Sequence, residues 1–207
     1  MAMQYSFFDA IAETAPPDLT GRLVRTELGR GAWIDLATDW LPSPQALFDQ
    51  LAESVPWRAE ERPMYDRVVA VPRLLSFYGL GVPLPHLTLS EVMIHLNDYY
   101  AAEMAQPLET VGLCYYRDGN DSVAFHGDRI GRGARHDTIV AICSLGATRR
   151  FLVRPRGGGR SSVFEVGSGD LLVMGGSCQR AFEHAVPKTR RPVGPRISVQ
   201  YRENGVR

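Results

Sequence analysis

Apolar residues fall at helical spacing in two stretches of the N-terminal half and at strand-like spacing through the C-terminal half. In "SPQALFDQLAESV", Leu47, Leu51 and Ser54/Val55 form one stripe. Ser43 stands where an N-cap belongs, Pro44 takes the first helical position and Pro56 ends the run. In "TLSEVMIHLNDYYAAE", Leu89, Val92, Met93, Leu96 and Tyr100 recur on one face, leaving Glu91, Asn97 and Asp98 outside. His95 flanks that stripe and is read as a packing or surface residue. "GRLVRTELG" and "AWIDLATDWL" suggest two short strands joined through Gly29 and Gly31, and the Pro- and Gly-rich "ERPMYDRVVAVPRLLSFYGLGVPLPH" reads as loop and extended chain.

From residue 111 the pattern changes. "VGLCYY", "SVAFH", "TIVAICSL", "RRFLVRP", "SSVFEV", "DLLVM", "FEHAV" and "RISVQYR" are short apolar or alternating runs punctuated by Gly, Pro, Asn and Asp. Eight such strands without an intervening helix indicate a β-sandwich or jelly roll, buttressed by the earlier helices. The chain is thus read as mainly β, in an α+β arrangement. Residues 1–110 are an N-terminal extension and residues 111–207 a β core, together one compact domain.

Composition narrows the class. No apolar run has the length of a membrane span. The first residues, "MAMQYSFFDAIAETAPPD", lack the basic start of a signal peptide, so a cytoplasmic protein is expected. Cys114, Cys143 and Cys178 are odd in number, widely spaced and set among apolar neighbours, as suits buried free thiols. The net charge is zero, yet residues 1–110 carry 7 Arg against 15 acidic residues (net −8), while residues 111–207 carry 15 Arg and one Lys against 8 (net +8). Such asymmetry fits either a polyanion-binding half or two halves that complement each other.

The candidate chemistry begins in "SVAFHGDRIG". Residues two apart on extended chain share a face, so His126 and Asp128 offer a nitrogen and a carboxylate oxygen in one direction. His184 in "FEHAVPK" is the natural third ligand. Two histidines and a carboxylate form a facial triad that leaves positions open on Fe(II). The competing reading is a surface turn in which Asp128 caps backbone amides. In "GPRISVQYR", Arg196, Ser198, Gln200 and Arg202 share one face opposite Ile197, Val199 and Tyr201. Turned inward, that face needs an anion such as a carboxylate held by an arginine fork. Turned outward, it is an ordinary solvated strand.

Together these segments resemble the AlkB family of Fe(II)- and 2-oxoglutarate-dependent dioxygenases. The likeness runs from "VPRLLSFYG" through "YYRDGNDSVAFHGD", "SLGATRRF" and "GDLLVMGGSCQRAFEHAVPK" to "GPRISVQYR". It implies a double-stranded β-helix with iron on His126, Asp128 and His184, and with 2-oxoglutarate and O2 as cosubstrates. Tyr116 and Arg196 would hold 2-oxoglutarate, Arg202 would orient it with help from Ser198 and Gln200, and Cys114 would line its pocket. The activity implied is oxidative removal of N-alkyl groups from bases of DNA, or of RNA, by a monomer. The base would be flipped out or already single-stranded. Tyr65 stands near where duplex-acting relatives carry an aromatic finger, with a packed loop tyrosine as the alternative. Arg73 could contact a phosphate or pair with the acidic half. "RIGRG", with Arg129, forms a basic lip able to touch a substrate backbone.

Three positions depart from the family pattern. Cys114 and Ser198 stand where relatives often carry Asn, and Ile130 stands where many carry an acidic residue that reads a base amino group. No clear aromatic follows "YGLGVPLPHL" to stack on a base, leaving His86 or Leu87. These departures motivate an alternative, a dioxygenase of the same fold acting on a protein side chain or a small molecule.

Overall fold

The computed structural model describes residues 16–64 and 67–206, with side chains described outside 62–70. Tyr65 lies outside the described residues.

Two β-sheets face each other, with helices behind the larger one. The larger sheet has the order β1-β2-β10-β7-β12-β5-β4-β3. Its strands are β1 (Val24–Gly29), β2 (Ala32–Ala37), β3 (Arg58–Met64), β4 (Arg67–Tyr78), β5 (Leu108–Tyr116), β7 (Val140–Gly146), β10 (Leu171–Gly176) and β12 (Arg196–Glu203). The smaller sheet has the order β6-β11-β8-β9. It comprises β6 (Val123–His126), β8 (Arg149–Pro155), β9 (Ser162–Val166) and β11 (Phe182–Val186). All pairings are antiparallel. The larger sheet crosses the 110/111 division, since β2 pairs with β10 and β4 with β5.

Alternation on the central strands separates two cores. Ile197, Val199 and Tyr201 of β12 face helices α1 (Pro44–Ser54) and α2 (Leu87–Tyr99), joining Leu47, Leu51, Leu89, Val92 and Leu96 in one apolar cluster. The opposite faces of the same strands meet the smaller sheet, where Cys114, Tyr116, Ile142 and Met174 pack with Phe151, Val153 and Phe182. The polar face of β12 therefore points between the sheets: Arg196 is 1% exposed and Ser198 2%.

All eight expected C-terminal strands are present. Three local expectations need correction. Ser43 precedes α1 in a left-handed conformation, φ 48°, and makes no side-chain cap. The segment read as loop and extended chain pairs instead as a β3–β4 hairpin, because its alternation continues through Pro72 on a strand whose partner β5 is already built. The C-terminal half also contains helical turns, at Arg132–Ala134 and in α3 (Cys178–Ala181), which are too short to show a helical period.

Candidate metal centre and cosubstrate pocket

β6 and β11 lie side by side with His126 directly opposite His184. Their ring centroids are 4.3 Å apart, and Phe151 stacks on His184 from the other side at 5.4 Å. Asp128 follows β6 and reaches back, its Oδ1 3.8 Å from His126 Nε2. One donor atom from each of His126, Asp128 and His184 lies within 4.8 Å of the others. Gly127 is compelled between them, since a Cβ there would sit 2.7 Å from the Gln179 carbonyl.

The donors are held in ligating form. His126 Nδ1 lies 2.8 Å from the Ala124 carbonyl, so Nδ1 carries the proton and Nε2 offers its lone pair. Burial drives the His184 pKa down to about 3, helped by His126 and against Asp128, which keeps the ring neutral. Burial alone would raise the Asp128 carboxyl. Arg202 and the two histidines more than offset that and bring it to about 2. Arg202 Nε donates to Asp128 Oδ2 at 2.7 Å, which turns Oδ1 toward the histidines, and the Asp128 amide donates to Gln179 Oε1 at 2.9 Å. Two imidazoles and one carboxylate gathered on one side suit Fe(II) with its other positions open.

Beside this cluster, on the face of β12 turned between the sheets, stand Arg196, Ser198 and Gln200. Arg196 Nε donates to Ser144 Oγ at 2.9 Å, while its buried Nη1 has no hydrogen-bond partner among the described residues. Burial pushes the Arg196 pKa down, against the raising influence of Tyr116. Its guanidinium carbon stands 5.3 Å from the centre of the Tyr116 ring. Burial and Cys114 raise Tyr116 to about 12, against Arg73, Arg196 and Arg149, so the phenol keeps its proton and can donate. Gln200 is the hub of the remaining contacts. Its Nε2 donates to Cys114 Sγ at 3.4 Å and Ser198 Oγ at 3.3 Å, and its Oε1 accepts from Arg202 Nη2.

The expected substrate residues are spread more widely. Ile130 is 70% exposed and lines a cleft of about 300 Å³ with Phe77, Leu80, Thr110, Asn204 and Val206. Arg129 is exposed on the lip. Arg73 turns inward, donating to the Ser122 carbonyl at 3.1 Å. His86 caps α2, accepting from the Thr88 amide, and Leu87 is exposed at the helix start.

Four residues of this region escape a reading by motif. Gln179 fixes the Asp128 backbone, and Ser144 fixes Arg196. Arg149 donates to the carbonyls of Asp118, Asp121 and Pro187 at 3.0, 2.9 and 2.7 Å, tying the loops around the pocket. Gly112 makes room for Arg202, whose Nη1 would lie 2.9 Å from a Cβ there. Only Gly112 leaves a sequence signal, a glycine inside an otherwise bulky strand.

Comparison with known proteins agrees with this geometry. Residues 83–204 match the model of the 2OG-Fe(II) oxygenase superfamily. The chain is 31% identical over 185 residues to Alpha-ketoglutarate-dependent dioxygenase alkB homolog 3 of Bos taurus, covering 78% of this chain and 62% of that protein. It is 28% identical over 150 residues to DNA oxidative demethylase ALKBH2 of Bos taurus, covering 65% of this chain and 54% of that one. It therefore spans 62% or less of the length of these two curated relatives. The solved structure of OsALKBH1 superposes with a TM-score of 0.59 at 14% identity, covering 86% of this chain and all of that one, a likeness of fold. With more than half of its length inside the family match and the triad in place, the chain belongs to the 2OG-Fe(II) oxygenase superfamily and resembles its AlkB-type members.

Proposed function

We propose that the protein is an Fe(II)- and 2-oxoglutarate-dependent dioxygenase that removes N-alkyl groups from nucleobases of DNA or RNA. The observation that carries this reading is the His126–Asp128–His184 cluster, set beside a buried arginine whose Nη1 has no hydrogen-bond partner among the described residues. The names of the curated relatives, a dioxygenase and a DNA oxidative demethylase, support it.

The chain's own residues have definable tasks in this reading. His126, Asp128 and His184 would hold the iron. Iron held there would supply, with 2-oxoglutarate and O2, the oxidising power to hydroxylate an N-methyl group, which would depart as formaldehyde while 2-oxoglutarate would leave as succinate and CO2. Arg196 and protonated Tyr116 grip the distal carboxylate by charge-assisted and neutral hydrogen bonds. Arg202 fixes the Asp128 carboxylate, and Gln200 fixes Arg202. Arg129 and the basic half favour a polyanionic substrate, whose target base must leave its stack to reach the centre. Three buried free thiols support a reducing, cytoplasmic setting.

The test is 2-oxoglutarate consumption by the Fe(II)-loaded protein with and without methylated oligonucleotide. Stimulation by the methylated but not the unmethylated strand supports the reading, and turnover indifferent to nucleic acid contradicts it.

The cleft at Ile130, Phe77 and Leu80, which mixes these side chains with Thr110 and Asn204, favours a second reading, in which the same centre oxidises a protein side chain or a small molecule. That reading requires turnover that nucleic acid leaves unchanged.

A further inference from the structure

On sequence grounds Arg73 offers a phosphate contact or a pair with the acidic half, but its place in the sheet points elsewhere. On β4, Leu75 stands opposite Cys114 and Leu74 opposite Tyr115 of β5. On the other side of β5, Cys114 stands opposite Ser198 and Tyr116 opposite Arg196. One step along the same register brings Arg73 level with Tyr116. A row Arg73–Tyr116–Arg196 thus crosses three strands, its two arginines flanking the tyrosine about 10 Å apart at two strand spacings. Arg73 shares a face with Leu75, which packs against the core between the sheets.

The contacts agree. Arg73 Nη1 donates to the Ser122 carbonyl, and its guanidinium also reaches the Cys114 thiol. Its Nε is buried and, like Arg196 Nη1, has no hydrogen-bond partner among the described residues. A buried guanidinium N–H without a partner is costly, and two of them beside one tyrosine indicate an anion bound between them. Arg149, the third arginine acting on Tyr116, donates to three carbonyls and holds the loops. Glu60 of β3 contributes a negative field at Arg73 but leaves Nε unbonded.

Resting on the function proposed above, we infer that Arg73 is a cosubstrate-binding residue whose Nε donates to a carboxylate of 2-oxoglutarate. It supplies a donor on the side of the pocket where residue 114 presents only a thiol. A carboxylate there accepts from Tyr116 on one side and an arginine on each flank, which explains why the pocket holds more positive charge than one carboxylate pair needs.

The experiment is calorimetric titration of 2-oxoglutarate into the Mn(II)-loaded protein, using wild type, Arg73→Gln and Arg73→Lys. Each variant's affinity for a single-stranded oligonucleotide is measured by fluorescence anisotropy. The expected result is a Kd for 2-oxoglutarate raised roughly tenfold or more in Arg73→Gln, with a smaller rise in Arg73→Lys and unchanged oligonucleotide affinity. Arg73→Lys keeps the charge and the stem, so it carries the test if Arg73→Gln fails to fold. Unchanged 2-oxoglutarate affinity with weakened oligonucleotide binding overturns the inference in favour of a phosphate contact, and no change in either overturns it in favour of a purely structural arginine. A wild type that binds no 2-oxoglutarate overturns the function proposed above as well, and is distinguished by that.

Discussion

At Gly112 a single hydrogen stands where any other residue would place a carbon 2.9 Å from Arg202 Nη1. Arg202 cannot swing aside without losing Asp128 Oδ2 or Gln200 Oε1. Gly112→Ala should therefore leave a folded protein whose kcat/KM falls about tenfold or more, equivalent to about 1.4 kcal/mol of transition-state stabilisation. Steady-state kinetics beside circular dichroism check this, and unchanged kinetics would show that Arg202 has slack. Arg149 is a second silent residue. It is 3% exposed and holds three carbonyls, so Arg149→Met should destabilise the fold by roughly 3–5 kcal/mol in denaturant titration. The metal ligands were legible in sequence because period two places His126 and Asp128 together and because ligand types are chemically narrow. Arg149 was not, because nothing in "ATRRF" says that its partners are carbonyls from loops 28 to 38 residues distant.

The helices and strands show where pattern suffices and where it does not. The C-terminal strands were legible because each is a short apolar or alternating run bounded by Gly, Pro, Asn or Asp. β12 is the plainest case, with Ile197, Val199 and Tyr201 behind and the arginines in front. β4 was missed because Pro and Gly nearby read as loop, whereas its pairing partner β5 supplies the order that its own sequence does not state. The start of α1 was legible in position but not in mechanism. Ser43 has the identity of a cap, yet it adopts φ 48° and makes no side-chain bond. A left-handed conformation costs a non-glycine residue about 1–2 kcal/mol. Ser43→Gly is accordingly expected to raise stability by about 1 kcal/mol, or about 2–4 °C in Tm. A fall in Tm would show instead that the hydroxyl caps the helix.

On the scale of the molecule, one sheet joins both halves of the chain, and its inner face carries the arginine row opposite the smaller sheet that carries His126 and His184. The acidic N-terminal half supplies β1–β4 to the same sheet, yet these ion pairs stay within a half and leave the charge asymmetry between the halves in place: Arg25 pairs with Asp35 at 2.7 Å and Glu103 at 3.0 Å in the first, and Arg132 with Glu203 at 3.1 Å in the second. The remaining exposed arginines should make oligonucleotide affinity fall linearly with salt on logarithmic axes, and a flat salt response would count against a polyanionic substrate. A metal held by the triad would link the two sheets' ends, since His126 and His184 lie on or beside the smaller sheet and Arg202, which holds Asp128, on the larger. At 100 times its Kd a metal adds about 2.7 kcal/mol to stability. Chelation should thus lower Tm in wild type and leave His184→Ala unmoved. Substrate identity was the least legible property, because Ile130 and the cleft around it depart from any familiar base-reading pattern.

The most direct measurement is formaldehyde release from a single-stranded oligonucleotide carrying 1-methyladenine or 3-methylcytosine, using protein supplied with Fe(II), 2-oxoglutarate and O2, beside His126→Ala. Release by wild type and not by the variant is the expected result. No release from wild type while it still consumes 2-oxoglutarate would contradict nucleic-acid demethylation and move the same iron chemistry to another substrate.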